Sequence, residues 1–148
     1  MNVEEVIKTD KKIPLESRTL IHLSLVWNKA NEVMANALKP YDVSLQQFNV
    51  LRILRGQKGK PANLSTLNER MVTKMSNTTR LVDKLILKGY VKRATCKSNR
   101  RKVEIHITEA GEKALLDMDR AIQGSERQIV RNFSTEELKD LNLLMDKF

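Results

Sequence analysis

The spacing of apolar residues along the chain predicts a protein built mainly from helices, with two strands near its centre. From Glu16 to Leu38 apolar side chains recur every three or four residues, which places them on one face of a helix. The same spacing recurs over 44–54, 64–71, 73–88 and 109–132, and again in a short segment after Ser134. In contrast, Val103, Ile105 and Ile107 alternate with polar residues, the pattern of a half-buried strand.

Residues that favour helix ends lie at the predicted boundaries. Ser44 with Gln47, and Ser134 with Glu137, have the spacing of a capping box. Gly89 follows the fourth helix, where a left-handed cap is favoured. The third, fourth and fifth helices are predicted to begin after Asn63, Thr73 and Thr108. Residues 1–14 are mostly polar and are predicted to form a loose arm.

The third and fourth helices are separated by only a few residues, and two strands follow the fourth helix at once. This order is typical of a helix-turn-helix followed by a β-hairpin wing. We therefore predict a mainly α fold with a small β-hairpin wing. A winged helix-turn-helix DNA-binding region over 44–108 is flanked by dimerisation helices at 16–38 and 109–148, within a single domain of 148 residues.

The positive charge of the chain is concentrated in this winged region. The formal net charge is +9. Between Gly56 and Glu104 the chain has thirteen Lys and Arg but only three Asp and Glu. The segments on either side are together close to neutral. Since the densest cations lie on the hairpin and not along one face of an amphipathic helix, the pattern favours DNA over a membrane surface.

The start of the fourth helix and the hairpin supply the candidate DNA contacts. Short polar side chains and one guanidinium at the helix start can reach base edges, where arginine prefers guanine and asparagine prefers adenine. Lysines beside them are predicted to contact phosphates, which set register without reading sequence. The predicted DNA-binding residues are Lys74, Ser76, Asn77, Thr79, Arg80 and Lys84 on the helix, and Lys97, Arg100, Arg101 and Lys102 on the wing.

Other kinds of site are weakly supported by the sequence. Two histidines and a single cysteine, Cys96, have no metal-ligand spacing, so we expect neither a metal, a cofactor nor a catalytic site. Cys96 lies beside Lys97 and Arg100 and could be redox-active, although a strand cysteine is more often apolar filling. The polar beginning of the chain and the lone cysteine fit a cytoplasmic protein.

The apolar stripes of the terminal helices fit either the core of one chain or a subunit interface, and the matching stripes at both ends of the chain favour the interface. A helix of more than twenty residues with such a stripe requires a long partner, and the last helix is too short to be stable alone. We expect the first, fifth and sixth helices of two chains to interlock. The predicted interface residues are Leu20, Leu23, Trp27, Ile129, Leu138, Leu141, Met145 and Phe148.

Two motifs carry a family resemblance: TRLVDKLILKGYVKR at 79–93 and NRRKVEIHITEAG at 99–111. Together with the order of elements, they resemble the MarR (multiple antibiotic resistance regulator) family. Family members often have Asp where this chain has Asn99, and a Gly-hydrophobic-Ser turn where it has Val72-Thr73-Lys74. The resemblance implies a homodimeric, DNA-binding transcription regulator, usually a repressor released by a small molecule or an oxidant.

An effector pocket would lie where the dimer helices meet the winged region. Its candidate lining is His22, Trp27, Met34 and Tyr41, although side chains of these types are more often buried in an ordinary core. The alternative to an operator-reading regulator is a winged-helix interaction module, or a protein that binds nucleic acid without sequence preference. The Ser-Asn-Thr-Thr-Arg start of the fourth helix favours the regulator, because non-specific binding requires only cations.

Overall fold

The computed structural model describes residues 1–73, 77–95 and 103–148. It is mostly helical with one antiparallel hairpin, which confirms the predicted fold class. The helices are α1 (Val3–Ile7), α2 (Leu15–Leu38), α3 (Leu45–Gly56), α4 (Leu64–Arg70), α5 (Thr78–Leu87), α6 (Glu109–Ile129) and α7 (Thr135–Met145). The strands are β1 (Val91–Thr95) and β2 (Val103–Ile107), and a 3₁₀ turn at Lys39–Tyr41 follows α2.

The chain divides into two compact units. The terminal unit comprises Met1–Met34 and Gln123–Phe148, and the winged unit comprises Ala35–Ile122. No helix within the described ranges has the length and apolar character that crossing a bilayer requires. The same residues contain no group of three or more His, Cys, Asp or Glu side chains that could hold a metal ion.

The core of the winged unit forms between α3, α4 and α5. α3 begins with the predicted capping box, in which the Gln47 amide donates to the Ser44 hydroxyl over 3.2 Å. This cap sets the helix so that Phe48, Leu51 and Leu54 are buried, while Leu45, predicted on the same face, is only half-buried. The buried partners from the other two helices are Leu67, Leu81, Val82 and Leu85.

The hairpin is buried at Val91 and Ile105 and exposed where Thr95 pairs with Val103. Val91 pairs with Ile107 and Thr95 pairs with Val103 in the antiparallel register. Ile105 in the middle of β2 is fully buried, whereas Val103 is 41% exposed. On its other edge, β2 is bridged to the segment before α4, since Ala62 and Ile105 exchange two backbone hydrogen bonds of 3.0 and 2.8 Å. The root of the wing is therefore tied directly to the helix-turn-helix.

The structure corrects the prediction that residues 1–14 form a loose arm. Asn2 caps the short helix α1 through its side chain, which accepts from the Glu5 amide. Val3 is fully buried, and the Arg18 guanidinium on α2 donates to the Glu4 carboxylate over 2.7 Å. The arm is structured because one apolar residue and one ion pair attach it to the rest of the chain.

The start of α5 also differs from the sequence prediction. The helix begins at Thr78 with Asn77 at its N-cap, not after Thr73. The Asn77 side chain makes no capping hydrogen bond. As a result, Thr79 and Arg80 belong to the first turn of the helix, one turn closer to its N-terminus than predicted.

Candidate nucleic-acid interface

Helices α4 and α5 form the helix-turn-helix, and a hydrogen bond between two side chains joins them. Asn63 caps α4 by accepting from the Thr66 amide over 2.9 Å, as the sequence predicts. The Thr78 hydroxyl, which is buried at the start of α5, donates to the Asn68 side-chain oxygen on α4. The first residue of α5 is thereby attached to the preceding helix, so the two helices are held as one unit.

Helix α5 has one buried face and one open face. Thr78, Leu81, Val82 and Leu85 are buried against the core. The opposite face carries the exposed residues Arg80, Asp83, Lys84 and Leu87. This division follows from the 3.6-residue period of the helix and agrees with the sequence prediction. A duplex that met α5 from the solvent side would contact the second set.

The first turn of α5 presents the features that bind an anionic duplex. Thr79 and Arg80 are exposed there, beside the amides that the helix itself leaves unpaired. Those amides and the helix dipole favour a negative group at this end. Within the described part of the chain, Arg80 and Lys84 form no ion pair, so both cations are available for phosphate or base oxygens.

The Asn77 side chain is less exposed to solvent than those of Thr79 and Arg80. Its side chain is half-buried, and its Oδ1 atom is buried without a hydrogen-bond partner among the described residues. A buried acceptor without a partner costs about 1–3 kcal/mol. To contact a base, the Asn77 amide would have to rotate outward, a step that Arg80 does not require.

Two ion pairs join α5 to neighbouring segments, and the sequence analysis predicted neither of them. The Arg93 guanidinium on β1 donates to the Asp83 carboxylate over 2.8 Å, which joins the helix to the wing. The Lys88 ammonium donates to Asp42 over 2.6 Å and keeps the pKa of that carboxyl below its ordinary value. Arg93 and Lys88 are therefore engaged in ion pairs, whereas Arg80 and Lys84 remain open to solvent.

The wing contacts predicted from the sequence lie outside the described residues. The described part of the hairpin ends at the pair of Thr95 with Val103. The predicted contacts Lys97, Arg100, Arg101 and Lys102, together with Lys74, Ser76 and the thiol Cys96, stay predictions.

A cleft of about 540 Å³ lies within the terminal unit. Of the four residues predicted for an effector pocket, His22 lines this cleft, whereas Trp27 and Met34 do not and Tyr41 belongs to the winged unit. Because only one of the four predicted residues lines it, the cleft does not test the predicted effector pocket. Its lining includes Val26, Lys29, Val33, Ile129, Arg131, Phe133, Leu138 and Leu141.

Comparison with known sequences places this arrangement among transcription regulators. The sequence model of the MarR family matches residues 43–103. The helix-turn-helix-type transcription regulator YpoP of Bacillus subtilis is 30% identical over 109 residues, which are 74% of this chain and 72% of that protein. PecS of Dickeya dadantii, another such regulator, is 29% identical over 132 residues, or 87% and 76% of the two chains.

Solved structures show the same fold. MarR from Escherichia coli in its apo form aligns with a TM-score of 0.71 at 25% identity, over 93% of this chain and 98% of that one. A MarR-like regulator from Bacillus cereus gives 0.79 at 25%, over 90% and 98%. A cysteine-to-serine mutant of Escherichia coli MarR complexed with operator DNA gives 0.76 at 24%, over 90% and 93%. The predicted family resemblance is confirmed, as is the expectation of a regulator and not an enzyme.

Proposed function

Because this chain belongs to the MarR family of transcription regulators, we propose that it is a homodimeric repressor that binds a pseudo-palindromic operator and is released by a small molecule. The observation that carries the proposal is the first turn of α5. There Thr79 and Arg80 face solvent, with Lys84 one turn further along and no ion pair to Arg80 or Lys84 within the described chain. The operator complex of the related Escherichia coli regulator supports the same use of the fold.

The side chains on α5 differ in the DNA groups that they can bind. Arg80 is the base reader, because its guanidinium can donate two parallel hydrogen bonds to guanine O6 and N7. Thr79, and Asn77 after rotation, supply shorter polar contacts. Lys84 contacts phosphate, which adds affinity equally for every sequence. The wing residues Arg100 and Arg101 extend the contact along the duplex, where a narrow minor groove attracts arginine.

Exposed apolar side chains on the terminal helices support the homodimer. None of the eight predicted interface residues is fully buried within one chain, and no residue of α7 is. Leu20 is 58% exposed, Trp27 52% and Phe148 86%. An apolar surface of this kind marks an interaction site. A second copy would cover it, and two α5 helices one DNA turn apart, about 34 Å, would read a pseudo-palindrome.

The repressor role and the effector follow from the family resemblance together with the cleft in the terminal unit. Its volume of about 540 Å³ is within the range of small-molecule sites. A ligand beside His22 would bind among the helices proposed to form the dimer, and so could alter the spacing of the two α5 helices. As a transcription regulator, the protein would act in the cytoplasm, where the DNA is.

Titration of labelled DNA tests this function. Fluorescence anisotropy is measured with the duplex upstream of the protein's own gene and with a scrambled duplex of equal length, from 50 to 300 mM salt. We expect one dimer per palindrome and much tighter binding to the first duplex at every salt concentration. Equal affinity for both, falling steeply with salt, would instead show a protein that binds nucleic acid without an operator.

Substitution of Arg80 by alanine should weaken operator binding by about 1–3 kcal/mol and relax the preference at one position of each half-site. The physical reason is the loss of two hydrogen bonds to a base edge. Lys84→Ala is the matched control, since it removes one exposed cation from the same face of the same helix. It should weaken operator and scrambled DNA by the same factor, and an Arg80→Ala protein that behaved in this way would not have lost a base reader.

A further inference from the structure

Leu87 is an apolar residue on the DNA-facing side of α5. It is the last residue of the helix, and its side chain is 88% exposed. Leu87 lies seven residues after Arg80, and seven steps of about 100° return to within about 20° of the same direction. The two side chains therefore point the same way from the helix, opposite the buried face of Leu81 and Leu85.

The surroundings of Leu87 indicate what covers it. A single exposed leucine elsewhere on a surface needs no explanation. This one shares its face with Arg80 and Lys84, which attract an anionic duplex, and with Asp83, whose charge is paired with Arg93. The residues described in the winged unit leave Leu87 open to solvent. A duplex bound by the two cations would therefore be brought against Leu87 as well.

The dimensions of the helix and of the groove indicate which base pair Leu87 would contact. A helix of ten residues is about 15 Å long, and we place α5 along the major groove, which is about 12 Å wide. Leu87 is about 10 Å beyond Arg80 on the helix axis. At 3.4 Å per step, this distance corresponds to about three base pairs.

We infer that Leu87 contacts the C5-methyl group of a thymine, about three base pairs from the base that Arg80 reads. The thymine methyl is the apolar group that base edges present in the major groove, and apolar side chains recognise thymine through it. Leu87 is then a second specificity-determining residue, which reads by apolar contact where Arg80 reads by hydrogen bonding. The inference rests on the proposed operator-binding function.

The test begins with a selection from a pool of random duplexes, carried out with the full-length wild-type chain and with Arg80→Ala. The first selection gives the preferred operator, and the second identifies the base pair whose preference depends on Arg80. Each thymine of the operator is then replaced by deoxyuridine, which removes only the methyl group. Binding of every duplex is measured for the wild type, Leu87→Ala, Leu87→Met and Leu116→Ala. Leu116 is a matched control, because it is an exposed leucine of the winged unit on α6.

The wild type is expected to lose about fourfold in affinity at one thymine of each half-site, two to four steps from the base pair that depends on Arg80. Leu87→Ala should bind the thymine and deoxyuridine duplexes equally, whereas Leu87→Met and Leu116→Ala should retain the wild-type difference. Thermal unfolding of all four proteins checks that the fold is unchanged, as expected for so exposed a side chain.

The experiment distinguishes an error in the inference from an error in the proposed function. If the selection enriches a sequence but no thymine couples to Leu87, or no thymine lies at that spacing, the inference is wrong and operator binding stands. If the selection enriches no sequence at all, the protein reads no operator, and the proposed function fails together with the inference.

Discussion

Replacement of Gly111 by alanine is expected to destabilise the winged unit by about 3 kcal/mol. A Cβ atom at this position would lie 2.2 Å from the carbonyl oxygen of Tyr90 and 2.9 Å from Cγ1 of Ile107. The backbone there cannot move away freely. The Tyr90 carbonyl accepts from the Thr108 amide over 3.0 Å, and the Thr108 hydroxyl donates to the Gly89 carbonyl over 2.6 Å.

Urea unfolding at a fixed protomer concentration measures this effect as a lower free energy of unfolding. Gly56→Ala is the matched control, because the same added atom would meet nothing within 4 Å at the end of α3. That variant should be unchanged or more stable by up to about 1 kcal/mol. Equal stabilities of the two variants would mean that the backbone around Tyr90 and Thr108 can shift to accept the added atom.

The substitution Leu141→Asp is expected to convert the proposed dimer into monomers at micromolar concentration, with a dimer dissociation constant raised about a hundredfold or more. A carboxylate placed in an apolar interface loses its hydration without gaining a partner, a cost of several kcal/mol. Sedimentation equilibrium measures the dissociation constant directly. Operator affinity should fall with it, because a monomer has only one α5 helix.

Leu143→Asp is the control for the dimer interface. Leu143 is on the same helix, α7, but about 160° around its axis from Leu141, and it is 64% exposed. It should leave the dimer intact, and circular dichroism of both variants reports whether α7 stays helical. A Leu141→Asp protein that remained dimeric would place the subunit interface away from this stripe.

Features that depend on neighbouring residues were predicted well from the sequence. Ser44 with Gln47, and Ser134 with Glu137, form the capping boxes that their spacing indicates. The open and buried faces of α5 follow the predicted period. In β2 the predicted alternation holds at Ile105, which is buried, but not at Val103, which is 41% exposed. In each confirmed case the residues that determine the structure are at most a few positions apart, so their pattern in the sequence is sufficient.

Features that depend on distant residues were missed. Helix α1 is held by the pair of Glu4 with Arg18, fourteen positions away. The first residue of α5, Thr78, is bonded to Asn68, ten positions earlier, and no helix-capping rule contains such a contact. The ion pair of Arg93 with Asp83 was also not predicted, because the two residues lie on different elements.

The bridge between Ala62 and Ile105 also determines where the chain can be modified. The turn just before it contains Lys58 and Gly59, both exposed and both with positive φ angles of 51° and 82°. Extra residues there would extend into solvent, because the chain is held on one side by α3 and on the other by the bridge. A fluorescent reporter or an inserted peptide therefore belongs at Lys58–Gly59, whereas an insertion only three residues later, at Ala62, would disconnect the hairpin from the helices that it supports.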